Sequence, residues 1–292
     1  GLAGLADSRR RTSLASRPPG RLASPRVTRS PRILPLATVA VLAVAASLIA
    51  LTPPVAPTAE AAPDTRPTAV VALGDSVASG EGTGAYEAGT RGENGNYCHR
   101  SPHAYVNHLG LADQVVNLAC SGADSAQVGF GTATQYGETS QAERLVEVAT
   151  RLRVTTVFVQ LGANDDAALV DSLGACVRAY VQVLEPPCRR VLEPLLAQRM
   201  AATTDKVSAA LRDVREAMRR AGYTDGAYQL ILPSYSSAVT ERMIPGVNGA
   251  IGCPYRDRDA AWGRTVLFPA LSGALAQAAD RAGARFVDMS RA

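Results

Sequence analysis

The chain has 292 residues, 47% of them hydrophobic, with 30 basic and 26 acidic side chains and a net charge of +4. That length and apolar content exclude a disordered or fibrous chain and allow one well-cored domain. The positive charge does not point to nucleic acid, because it is confined to the start. Eight arginines (9, 10, 11, 17, 21, 26, 29 and 32) stand there against Asp7 and Glu60, and positions 62–292 carry 22 basic and 24 acidic residues, a net −2.

The basic stretch leads into the apolar run Ile33–Leu51 and then a Pro-rich segment ending in Ala59-Glu60-Ala61. Basic flank, apolar run and Ala-x-Ala site in that order predict a signal peptide over residues 1–61, cleaved after Ala61, and a secreted protein. The run at 33–51 is also long enough to span a bilayer, so a membrane-anchored form is the alternative. Pro35 and the Ala-x-Ala site favour cleavage. A linker over 62–68 and one domain over 69–292 are expected to follow.

Ala69-Val70-Val71-Ala72-Leu73 reads as a buried strand, and Gly74-Asp75-Ser76-Val77-Ala78-Ser79-Gly80-Glu81-Gly82 as the tight turn that leaves it. Such a turn lifts the Ser76 hydroxyl to the carboxyl end of a strand, where open α/β sheets hold their ligands. A polar, Gly-rich loop covers 81–96, and the segment from Tyr97 introduces a predicted helix through about Leu111. Val115–Leu118 is a second strand, Gln141–Leu152 an amphipathic helix, and Val154–Leu161 a third strand. Between Thr204 and Gly222, Val207, Ala210, Leu211, Val214, Ala217 and Met218 share one helical face. Tyr228–Leu232 is a fourth strand stopped by Pro233. A last helix is predicted over Ala260–Gly283, before a fifth strand from Arg285. Alternating strands and helices predict an α/β fold, a three-layer α/β/α arrangement around a central parallel sheet.

Three segments carry the chemistry: Gly74-Asp75-Ser76, Asn117-Leu118-Ala119-Cys120-Ser121-Gly122-Ala123 and Gly162-Ala163-Asn164-Asp165. In this order the segments resemble the successive blocks of the SGNH, or GDSL-type, hydrolases. The resemblance implies a flavodoxin-like architecture and a secreted carboxylic-ester hydrolase, an esterase or lipase working through an acyl-serine intermediate without metal or organic cofactor. It makes Ser76 the nucleophile and assigns the oxyanion hole to the backbone N–H of Ser76, the backbone N–H of Gly122 and the side-chain amide of Asn164. The residue types suit these roles, since glycine permits close backbone approach and an amide donor never ionises. Asp75 and Asp165 are expected to hydrogen-bond loop backbone without reacting. Trp262, Tyr255 and Phe268 are expected to pack in the core in preference to lining an acyl pocket.

The general base should be a histidine. In the family it lies in a last block, often as Asp-x-x-His, yet this chain has only His99, His103 and His108, all between the first two blocks. Asp288 is followed at that spacing by Arg291. The base is therefore expected in a block beyond Ala292, and the chain as written is expected to turn over esters weakly. Two rival readings are a carbohydrate acetylesterase of the same fold and a non-catalytic binding protein that has lost its base.

Five cysteines, all after the leader, fit an oxidising compartment. Cys98 and Cys120 would brace the loops around the site, Cys176 and Cys188 would close a short loop containing Pro186-Pro187, and Cys253 is left unpaired. No Cys-x-x-Cys spacing suggests a metal centre. The expected partner is an ester substrate, a lipid or small acyl ester, with no nucleic acid, no obligate protein partner and a monomeric state.

Overall fold

A computed structural model describes residues 64–165, 169–182, 184–244, 246 and 252–291; the leader and the run at 33–51 lie outside them. Five parallel strands, β1 (Thr68–Gly74), β2 (Gln114–Asn117), β3 (Arg153–Gln160), β4 (Gln229–Pro233) and β5 (Arg285–Val287), form one sheet in the order β2-β1-β3-β4-β5. Parallel neighbours need crossovers, and helices supply most of them: α1 (Ser76–Ser79), α2 (Ser125–Val128), α3 (Gln141–Arg151), α4 (Val170–Val181), α5 (Cys188–Leu192), α6 (Leu196–Arg220), α7 (Asp257–Trp262) and α8 (Phe268–Ala282). The result is the three-layer α/β/α fold with a central parallel sheet.

The layers are unequal. Side chains alternate along a strand, so Ala69, Val71 and Leu73 of β1 face one way with Val157, Val159, Leu230 and Leu232. That face makes the main core with α3, α6 and α8. Val70 and Ala72 face the other way with Phe158 and Ile231, against Ala104, Val106 and part of Tyr105. On α6 all six residues of the predicted stripe are buried, and the helix starts eight residues before Thr204. Trp262 and Phe268 are core residues and Tyr255 packs on the core's edge.

Two helix predictions change. Only a 3-10 turn, Tyr105–His108, forms where the segment from Tyr97 was expected to introduce a helix through about Leu111. Side-chain bonds win there: the Asn96 Oδ1 accepts from the Cys98 N–H (2.9 Å), and the Ser101 hydroxyl donates to Gly84 O (2.7 Å) and accepts from His103 N–H (3.1 Å). Pro102 adds a missing donor. The last helix is interrupted by a π turn over Gly263–Leu267, in which Phe268 N–H reaches Gly263 O. The wide turn precedes Pro269, which has no N–H to continue an α-helical ladder. Helices α4 and α5 lie in a stretch that no sequence pattern marked.

Candidate active site

Ser76 opens the short helix α1 directly beyond β1, and the turn that carries it is held from several sides. Gly74 has φ of +128°, and a Cβ there would come within 1.9 Å of Gln160 O, so only glycine fits. The buried amide of Gln141 clamps this glycine, accepting from Gly74 N–H (2.7 Å) and donating to Gly74 O (2.9 Å). The carboxylate of Asp75 caps α1 by accepting from Val77 N–H (3.1 Å). With Asp75 N–H bound to Gln160 O (3.0 Å), the serine is fixed to the end of β3 as well.

The second segment docks on the first through Cys120 N–H to Gly74 O (3.1 Å). Gly122 follows at φ +83°, which a side chain would strain. One N–H of the Asn164 amide donates to Ala123 O (2.8 Å), the residue after Gly122, and its second N–H has no acceptor among the described residues. Asp165 binds the same loop further on, accepting from Ser125 Oγ (2.8 Å) and Ser125 N–H (3.3 Å). Among the described residues no acceptor occupies the backbone N–H of Ser76 or of Gly122. Asp75 and Asp165 both serve loop backbone, as expected from the sequence.

Sequence reasoning missed Tyr235, which sits at the carboxyl end of β4. Its hydroxyl donates to Asp75 (2.5 Å) and accepts from Ala163 N–H (3.3 Å), so one buried group joins the turn before Ser76 to the turn before Asn164. Burial pushes the Asp75 carboxyl up to about 7, against the opposing pull of the Tyr235 hydroxyl and Val77 N–H. Burial and the adjacent carboxylate push the Tyr235 phenol well above its ordinary value. The only available signal was position, beyond a strand end.

The histidines do not join this group. His103 is exposed and lines the cleft of about 400 Å³ beside Ser76, together with Val77, Thr83 and Tyr105, but makes no hydrogen bond to the serine. His99 pairs with Glu81 (2.6 Å) and stacks on Tyr86 at 4.3 Å. Asp288 stands three strands from β1, about 14 Å at ordinary strand spacing. It is engaged by Ser272 Oγ (2.7 Å), Ser290 N–H (2.9 Å) and Ser234 Oγ (3.3 Å), donors that hold its carboxyl down to about 2.

Cys98–Cys120 and Cys176–Cys188 are disulfide-bonded, and Cys253 is free. No helix among the described residues is long and apolar enough to cross a membrane.

Solved structures to which this chain is similar include the extracellular lipase of Streptomyces rimosus, 22% identical over 76% of this chain and 80% of that one, with a TM-score of 0.47. The phospholipase A1 of Streptomyces albidoflavus is 19% identical over 76% and 79%, TM-score 0.47. A carbohydrate acetylesterase of Sinorhizobium meliloti is 13% identical over 76% and 83%, TM-score 0.33. No curated protein sequence matches the chain. The family model of GDSL-like lipases and acylhydrolases matches residues 72–292, about three quarters of the length, and the chain therefore belongs to the GDSL-like lipase/acylhydrolase family.

Proposed function

We propose that this protein is an exported carboxylic-ester hydrolase in which Ser76 attacks the ester carbonyl carbon. The observation that carries the reading is the set of unoccupied donors beyond the carboxyl ends of β1, β2 and β3: Ser76 N–H, Gly122 N–H and the second amide N–H of Asn164. Negative charge develops on the carbonyl oxygen during attack, and preorganised donors about 3 Å away stabilise it. The Ser76 proton passes to a base and then to the departing alcohol. Water next attacks the acyl-serine and releases the carboxylic acid. The two disulfides favour export into an oxidising compartment.

The resemblance puts the base in a block after the last strand. His103, at the rim of the Ser76 cleft, is the rival within the described residues. The decisive experiment is mass spectrometry after long incubation with a fluorophosphonate, whose tetrahedral adduct uses the same oxyanion donors. The expected adduct is on Ser76. It should be absent in Ser76→Ala, slowed about 10²- to 10³-fold in Asn164→Ala, and unchanged in His103→Asn. An adduct on another residue, or none, would sink the hydrolase reading; loss of labelling in His103→Asn would make that histidine the base.

A further inference from the structure

Two loops, residues 81–99 and 129–138, flank Gly122 and are built unlike the rest of the molecule. All four non-glycine residues with positive φ among the described residues lie in them: Ala85 (+50°), Asn94 (+52°), His99 (+51°) and Tyr136 (+50°). Backbone of this kind persists only where its surroundings hold it, and it gathers at functional sites. Here the surroundings are firm. The Asn96 amide donates to Glu138 (2.9 Å), Arg100 and Arg144 both pair with the same carboxylate, and Cys98–Cys120 ties one loop to the Gly122 segment.

The loops present aromatic rings in an arc that starts at the nucleophile. Glu81, whose N–H bonds Ser76 O (2.9 Å), lines the Ser76 cleft and holds His99. Tyr86 stacks on His99, Tyr97 meets His99 edge-on at 6.0 Å, and Tyr136 meets Tyr97 edge-on at 5.8 Å. The arc closes on the oxyanion loop through Gln135, whose amide donates to Ser121 O (2.8 Å). Tyr97 and Tyr136 are 49% and 44% exposed, so much of each ring faces solvent. Burial opposes the charge on Glu81, but hydrogen bonds from Ser121, His99 and Tyr86 outweigh it and hold that carboxyl below its usual range.

We propose that Tyr97, Tyr136 and Glu81 form a subsite for a saccharide, which would be the alcohol portion of the ester. The proposal rests on the reading that Ser76 acts on esters. Aromatic faces suit the C–H faces of a sugar ring, and the Glu81 carboxylate in the Ser76 cleft, already accepting from Tyr86 and paired with His99, retains acceptor capacity for a sugar hydroxyl. A fatty chain fits poorly, because no aliphatic side chain larger than alanine occurs in 81–97 or 131–139. Gly, Thr and Tyr recur in both loops and the first adds Asn94 and Asn96, a composition that gives rigid aromatic contact with adaptable hydrogen bonding.

Affinity electrophoresis of the full chain tests this without any catalytic step. The gels contain xylan, glucomannan or hydroxyethyl cellulose, with ester groups removed by alkali. Migration is expected to slow at least twofold in one of them, with that retardation lost in Tyr97→Ala/Tyr136→Ala and reduced in Tyr136→Ala alone. Thermal unfolding of each variant verifies the fold. Retardation in none of the gels overturns the proposal, as does retardation that survives in the double variant. Loss of binding to tributyrin emulsions in place of polysaccharide also overturns it, in favour of a lipid site. Fluorophosphonate labelling of Ser76 reports on the ester reading separately.

Discussion

At the scale of single residues, the Asp75–Tyr235 pair sets the pH response of the fold. Asp75 is fully buried and its carboxyl titrates near 7, whereas an unfolded chain gives an aspartate about 3.9. The folded state therefore binds the proton more tightly than the unfolded state. The Asp75 contribution should be fully present below about pH 4, fall as pH rises towards 7, and level off above it. Burial also pushes Asp165 up, which adds to the fall. At about 1.4 kcal/mol per pH unit the Asp75 share is roughly 4 kcal/mol. Urea denaturation across pH 4–8 should show this decline, flattened in Asp75→Asn. In Tyr235→Phe the decline should extend to higher pH, because the hydroxyl that favours the carboxylate is gone. A wild-type profile that rises with pH would refute the assignment. Asp75 could be read from the sequence as a loop organiser. Tyr235 could not, since 160 residues separate it from its partner and only the sheet brings them together.

Elements differ in how much their sequence alone decides. Helix α3 is legible: Ser140 caps it by accepting from Glu143 N–H (3.3 Å), and Leu145, Val148 and Ala149 bury one face. Ser140→Ala should cost about 1 kcal/mol and leave Ser76 labelling intact. Gly74→Ala should behave differently, since backbone at 1.9 Å cannot yield as a flexible side chain can. It should separate β1 from β3 and abolish labelling. Urea midpoints and labelling rates on the two variants check both outcomes, and a Gly74→Ala protein that labels normally would contradict the clamp. The helix expected through about Leu111 shrinks to a 3-10 turn because the polar side chains of Asn96 and Ser101, leading into it, hold the backbone of Cys98, His103 and Gly84, a competition that apolar periodicity does not register.

Across the molecule, the two disulfides should separate stability from function. They close 22 and 12 residues, and each should contribute about 3 kcal/mol by restricting the unfolded chain. Cys98→Ser/Cys120→Ser should also slow Ser76 labelling, because Cys120 docks on Gly74 and leads into Gly122. Cys176→Ser/Cys188→Ser should lower the unfolding midpoint to a similar degree and leave labelling unchanged. Equal effects of both pairs on labelling would mean that the Cys98–Cys120 bridge has no special bearing on the site.

The amino-acid sequence by itself determined the strands, the parallel α/β layering and the family, and it nominated Ser76, Gly122 and Asn164, because each depends on local periodicity or on a short motif at a strand end. Only the tertiary structure decided what holds those residues in place. Gln141 on Gly74, Tyr235 between Asp75 and Ala163, and the aromatic arc from Tyr86 to Tyr136 are contacts between distant segments. Their side chains carry no periodic signal, and their partners are set by how the sheet stacks and how its loops close over the carboxyl edge.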